Sequence, residues 1–259
     1  MSTRTTTRRR SPLAPSQHGA WGFLALPLFL GVAAAGWSPW LAPLALAWVA
    51  AYPGGWALTG LLTARRPERF RKAALVWTPL CVLAGAPVLV THLWLVWCLF
   101  GYLLLFCFSL RQARARRERS LTNDLVLIAQ CSLVVPIVAG VVAGGGLAPP
   151  WPEMTTTPVL AATVFTVLTL VGSTLHVKSL IRERADPRYR RAAQVFAVAA
   201  AVTVTAVCVP LGRFWPVAAF VVLACRALWW HDPSWRPARI GMVELAGLIL
   251  VAASGFLAF

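Results

Sequence analysis

Ionisable side chains inside apolar stretches are costly to keep, so they mark the positions where chemistry could occur. The acidic residues of this chain are Glu68, Glu118, Asp124, Glu153, Glu183, Asp186, Asp232 and Glu244. Most lie among arginines, as surface ion pairs do. Asp124 and Glu244 sit instead at the openings of apolar runs. Asp124 closes Ser120-Leu121-Thr122-Asn123-Asp124. Asn123 and Asp124 fit an N-cap, where a short polar side chain satisfies free N–H groups, and fit a substrate or cation contact equally well. Glu244 lies beyond Arg239 and either reaches back one turn toward it or points into a cavity. Two histidines join them: His18 in Gln17-His18-Gly19-Ala20-Trp21, and His176 in His176-Val177-Lys178-Ser179. His18, Asp124, His176 and Glu244 are the candidate catalytic groups.

The basic residues suggest a different chemistry. Arg69-Phe70-Arg71-Lys72-Ala73-Ala74 is echoed by Arg188-Tyr189-Arg190-Arg191-Ala192-Ala193 at an offset of 119 residues. Arg182 and Arg184 stand just ahead of the second copy. Guanidinium groups bind phosphate or carboxylate through two parallel hydrogen bonds, and helix N-termini add donors. Arg69, Arg71, Arg182, Arg184, Arg188 and Arg190, with Asn123 and Lys178, are therefore the candidate substrate-binding residues for an anionic headgroup. The competing reading is topological: such loops also label one side of a membrane and attract anionic lipid.

No metal-ligand spacing, Walker A loop, GxGxxG, nucleophile elbow or HExxH occurs, so neither a metal nor a cofactor is expected. The cysteines (Cys81, Cys98, Cys107, Cys131, Cys208, Cys225) form no CxxC pair and read as free thiols within apolar segments.

The elements that must position these groups follow from composition. Of 259 residues, 59% are hydrophobic and 12% charged, against about 45–50% and about 25% for a globular domain. The chain belongs to the membrane class, which excludes a nucleic-acid partner despite a net charge of +16. A spanning helix needs roughly 20 apolar residues, and charges divide the chain into about nine such segments: 21–36, 41–63, 73–90, 92–110, 124–144, 157–177, 192–210, 214–230 and 240–259. The third and fourth meet at Thr91-His92, where a tight turn is expected. With the N-terminus inside, every Lys and Arg except Arg213 falls on the cytoplasmic side, as the positive-inside rule requires. The C-terminus is then outside. Trp37, Trp40, Trp94, Trp151 and Trp215 should mark the outer interface, and Trp21, Trp229 and Trp230 the inner one.

Pro27-Leu28-Phe29-Leu30-Gly31 matches Pro136-Ile137-Val138-Ala139-Gly140 at an offset of 109. With the paired arginine loops, this predicts a parallel repeat. The expected organisation is a disordered basic tail (1–17), a first four-helix bundle (18–119), a second (120–239) and a last helix (240–259). The fold class is all-α. Arg8-Arg9-Arg10 resembles a twin-arginine signal only superficially, because no small-residue cleavage site followed by a soluble domain is expected after it.

Pro15-Ser16-Gln17-His18-Gly19-Ala20-Trp21, Asn123-Asp124-Leu125 and Lys178-Ser179-Leu180-Ile181-Arg182-Glu183-Arg184 resemble the YwiC-like family of bacterial membrane proteins. That resemblance implies a bacterial cytoplasmic membrane and a compact multi-helix body, without an established activity. The organisation is more distantly similar to UbiA-type intramembrane prenyltransferases, which implies nine spans, two four-helix bundles and functional loops after the second and sixth helices. Those enzymes hold magnesium with Asp-rich motifs. Here the corresponding stretches read Thr63-Ala64-Arg65-Arg66-Pro67-Glu68-Arg69 and Ile181-Arg182-Glu183-Arg184-Ala185-Asp186-Pro187, too poor in carboxylates for a divalent cluster. An enzyme of this kind would be a lipid-modifying transferase that works without magnesium. Three functions fit: binding or modification of an anionic or isoprenoid membrane lipid, transport of a small solute, and a non-catalytic assembly role.

Overall fold

In hydrocarbon, backbone N–H and C=O groups find no water, and the α-helix pairs them within one segment. The computed structural model describes Leu13, Pro15, residues 19–230, Asp232 and residues 234–259, and every regular element among them is helical. In chain order these are α1 (Ala20–Ala35), α2 (Leu41–Thr63), α3 (Glu68–Thr91), α4 (Leu95–Arg114), α5 (Leu121–Ser132), α6 (Val134–Ala143), the one-turn α7 (Trp151–Met154), α8 (Thr157–Ile181), α9 (Pro187–Cys208), α10 (Phe214–Trp229) and α11 (Pro237–Ala258). Seven helical runs are long and apolar enough to cross a membrane, α5 and α6 counting as one, Leu121–Ala143. The apolar helices α1 and α10 have 16 residues each, which is about 24 Å at 1.5 Å per residue. Large apolar side chains cover the outside, among them Leu83, Val90, Trp97 and Phe100 on α3 and α4. This is an all-α polytopic membrane protein.

Prolines shape the helices. Pro136 has no N–H, so the Ser132 carbonyl loses its helical partner, and α5 gives way to α6 at Leu133, whose dihedrals stay helical at φ −64°, ψ −17°. Pro27 does the same inside α1. Neighbouring helices satisfy backbone oxygens close to both breaks. The Trp48 indole donates to the Leu24 carbonyl at 3.0 Å, and the Tyr102 hydroxyl donates to the Gln130 carbonyl at 2.6 Å.

Small residues set the packing, as expected where helices must approach closely without a hydrophobic driving force. The α2–α3 hairpin closes around Gly54 and Gly60, against Trp77 and Phe70 respectively. Helix α1 packs chiefly on α6, α8 and α11 and touches α2 lightly. At its centre, a Cβ on Gly31 would lie 2.9 Å from the Val138 Cβ. The two Pro-to-Gly stretches that echo each other in sequence thus lie side by side in α1 and α6.

The expected turn at Thr91-His92 is present between α3 and α4. Two residues there differ from expectation. Trp94 is fully buried rather than interfacial. Its ring lies over Gly140, where a Cβ would come within 2.7 Å, and its backbone N–H donates to the Gly146 carbonyl. His92, which the expected topology puts in a turn on the outer side, is also buried, with Nδ1 3.1 Å from the Val88 carbonyl and its ring edge-on to Trp40. Both follow from the residues after α6 folding back on the α3–α4 turn.

Gly140→Ala should therefore strain a filled space, at a cost of about 1–3 kcal/mol. Thermal unfolding in detergent is expected to show a lowered midpoint that Trp94→Leu partly restores in the double variant. Additive losses would show that the two residues do not share this contact.

Candidate functional site

Four buried polar residues, Thr166, Thr169, Ser173 and His176, recur every three or four positions along α8 and share one face. The Thr166 and Thr169 hydroxyls donate to the carbonyls four residues earlier, at 2.9 and 2.7 Å. His176 meets the acid of α11: its Nε2 lies 3.9 Å from Glu244 Oε1. The Ser173 hydroxyl faces the same carboxylate. On the other side, Arg226 of α10 places Nη1 2.7 Å from Glu244 Oε2, with both side chains over nine-tenths buried. The guanidinium fits because position 247, one turn after Glu244, is glycine: a Cβ there would stand 3.3 Å from Nη1. Arg226 Nε is buried without a hydrogen-bond partner.

Glu244 therefore pairs with Arg226 rather than reaching back to Arg239. Arg239 instead lies over the Trp235 ring, 4.1 Å from its centre. Counted with the other basic residues of the cytoplasmic side, Arg226 is not among the site residues expected from the sequence. The available signals were an arginine one turn inside an apolar segment and, on α11, a glycine on the carboxylate's own face.

A second ion pair lies at the same end of α8. Lys178, 4% exposed, holds Asp124 Oδ2 at 2.7 Å and also donates to the Arg119 carbonyl at 2.8 Å. Asp124 is therefore not the cap of α5. Ser120 caps it, its side chain accepting from the Asn123 N–H at 3.2 Å, while Asn123 Nδ2 donates to the Glu118 carbonyl. Lys178 ties the α4–α5 connection to the end of α8. His18 lies outside the described residues. Arg69, Arg71, Arg182, Arg184, Arg188 and Arg190 are all exposed. They stand on or beside α3 and α9, which pack on different neighbours, α2 in one case and α8 and α10 in the other.

The arginines that do line a cavity are others. Between α10 and α11 runs an open groove of about 820 Å³, with Val222, Met242, Val243 and Leu250 among its apolar walls. Arg226, Arg236 and Arg239 line its basic end, beside Trp229 and Trp230. Among the described residues no cluster of three His, Cys, Asp or Glu side chains could hold a metal ion, and the cysteines are free thiols, with Cys131 and Cys208 buried and Cys107 exposed.

Fold and site together define a helical membrane protein with a buried His–Glu–Arg cluster beside a lateral, arginine-lipped groove. The chain belongs to the YwiC-like family: residues 14–139 match the family described as YwiC-like protein. It is 30% identical to the Bacillus subtilis (strain 168) protein described as "Uncharacterized protein YwiC", over 90% of this chain and 92% of that one. It is 25% identical to an "Uncharacterized protein" of Haemophilus influenzae (strain ATCC 51907 / DSM 11121 / KW20 / Rd), over 90% and 93%. No solved structure matches the chain.

Breaking a buried pair strands a charge, at about 3–5 kcal/mol, whereas replacing both partners by apolar residues is far less harmful. Arg226→Met and Glu244→Leu are each expected to lower the unfolding midpoint in detergent markedly. The double variant is expected to be more stable than either single one, and a double variant as unstable as the sum of the two would contradict the pairing.

Proposed function

We propose that the protein binds a membrane lipid with an anionic, phosphate-bearing headgroup, an isoprenoid phosphate or a phospholipid, in the groove between α10 and α11. One observation carries this reading: the groove is apolar along its length and basic at one end only. A hydrocarbon tail would lie along Val222, Met242 and Leu250. The headgroup would meet Arg226, Arg236 and Arg239 at interfacial depth, where Trp229 and Trp230 suit the boundary. The binding residues are thus not the loop arginines Arg69, Arg71, Arg182, Arg184, Arg188 and Arg190. Those act in this reading through sidedness and general attraction to anionic lipid, worth about 1 kcal/mol per basic residue near the surface.

The same reading places the basic ends of the helices in the cytoplasm, with nine crossings of a bacterial cytoplasmic membrane, N-terminus inside and C-terminus outside. Alkaline phosphatase fused after Phe259 is then expected to be active and green fluorescent protein fused there dark. The opposite pattern would reverse the topology.

Native mass spectrometry of the gently extracted protein tests the binding. Anionic lipid is expected to stay bound to the wild type and to be weakened by about 2 kcal/mol, roughly thirtyfold, in Arg236→Ala/Arg239→Ala. Arg69→Ala/Arg71→Ala should retain it. Equal retention of bulk phospholipid by all three proteins would reject the groove as a specific site.

A further inference from the structure

Arg226 belongs to two structures at once. It lines the groove, and it is the buried partner of Glu244. Its contact with the carboxylate uses Nη1, and Nε is buried with no hydrogen-bond partner. The guanidinium edge that includes Nε is therefore uncommitted, and that edge suits a two-oxygen acceptor such as phosphate. On the far side of Glu244, His176 Nε2 stands 3.9 Å from Oε1, beyond hydrogen-bond reach but close enough to close onto the carboxylate when protonated.

The charge balance of this cluster gives it a second role. With His176 neutral, Arg226 and Glu244 sum to zero. An anion arriving on the free edge of Arg226 makes the cluster net negative, in a place where uncompensated charge is costly. A proton restores neutrality. We propose that His176 and Glu244 form a proton-binding site linked to the groove through Arg226, so that the protein takes up one proton as it binds an anionic headgroup. This rests on the lipid-binding reading above. No bond other than that to the proton forms or breaks: the proton comes from water and is shared between His176 and Glu244 until the anion leaves.

The surroundings leave these two groups as the ones that respond. On α8, Lys178 is committed to Asp124 of α5 and the Arg119 carbonyl. On α10, Cys225 lines the groove, and on α11 Arg239 lies over Trp235. Helix α1, packed on α8 and α11, brings no ionisable group, and α6, also on α8, brings none. Helix α5 adds Cys131 to Asp124. Helix α9, packed on α8 and α10, has Cys208, Tyr189 and the exposed Arg188, Arg190 and Arg191. None of these is a second carboxylate or imidazole beside Arg226.

By linkage, a ligand that brings in a proton binds more tightly as pH falls, by up to tenfold per pH unit for one proton. The probe is phosphatidylglycerol, whose phosphodiester keeps its charge across this range, titrated into the full-length protein between pH 5.5 and 8 with phosphatidylcholine as reference. Affinity for phosphatidylglycerol is expected to rise severalfold on acidification. In weakly buffered solution its addition should remove protons from the medium. His176→Asn should flatten the pH profile, and Glu244→Gln, which keeps an acceptor for Arg226, should do the same. The wild-type profile and the proton-uptake measurement stand even if a variant fails to fold. Binding that needs Arg226, Arg236 and Arg239 but is flat with pH and moves no proton overturns the proton site and leaves the lipid reading intact. Phosphatidylglycerol bound no better than phosphatidylcholine, and indifferent to Arg236→Ala/Arg239→Ala, overturns both.

Discussion

Hydrocarbon offers no partner to a charge or a bare carbonyl, so a membrane chain must answer each of them from within itself. Most features of this protein follow from that constraint. The backbone is helical throughout its regular elements. Near the places where Pro27 and Pro136 break the hydrogen-bond ladder, a Trp indole and a Tyr hydroxyl from other helices donate to backbone oxygens. The buried cations find carboxylates, Arg226 on Glu244 and Lys178 on Asp124. These contacts do more than cancel a penalty, because each joins two different helices. Arg226 and Glu244 lock α10 to α11 at the groove's basic end. Lys178 and Asp124 fix the end of α8 to the start of α5.

The constraint also sorts the arginines into two populations. Those in the loops have water and headgroups for company and need no partner, which is why they are exposed. Arg226, one turn inside its helix, has neither, and there the guanidinium is held by a buried carboxylate in a fixed orientation. A basic loop therefore says which side of the membrane it occupies, whereas one buried guanidinium says where a ligand's charge would be met.

The all-helical class and most helix limits were legible in the sequence, because charges interrupt apolar runs at the right intervals. So was the α3–α4 turn. The candidate site was legible only in part. His176 and Glu244 could be singled out as costly residues, but nothing in their spacing says that they meet, since the contact depends on how α8 packs against α11. Arg226 was hidden by its position close to a span boundary, where a topology count absorbs it. Asp124 was ambiguous because an N-cap and an ion pair ask for the same residue type, and only the burial of Lys178 beside it decides between them. Trp94 misled for a similar reason: tryptophan suits an interface, and nothing local announces a glycine on another helix shaped to receive its ring.

The position of α1 has a consequence for how the molecule is made. Of the described helices it is made before the others, yet its main neighbours are α6, α8 and α11, and the earliest of these is synthesised only after α2 to α5. The α2–α3 hairpin, by contrast, can close as soon as it is made. Until α6 is made, α1 must therefore wait in the lipid with its small-residue face uncovered, and its seat is complete only when α11 arrives.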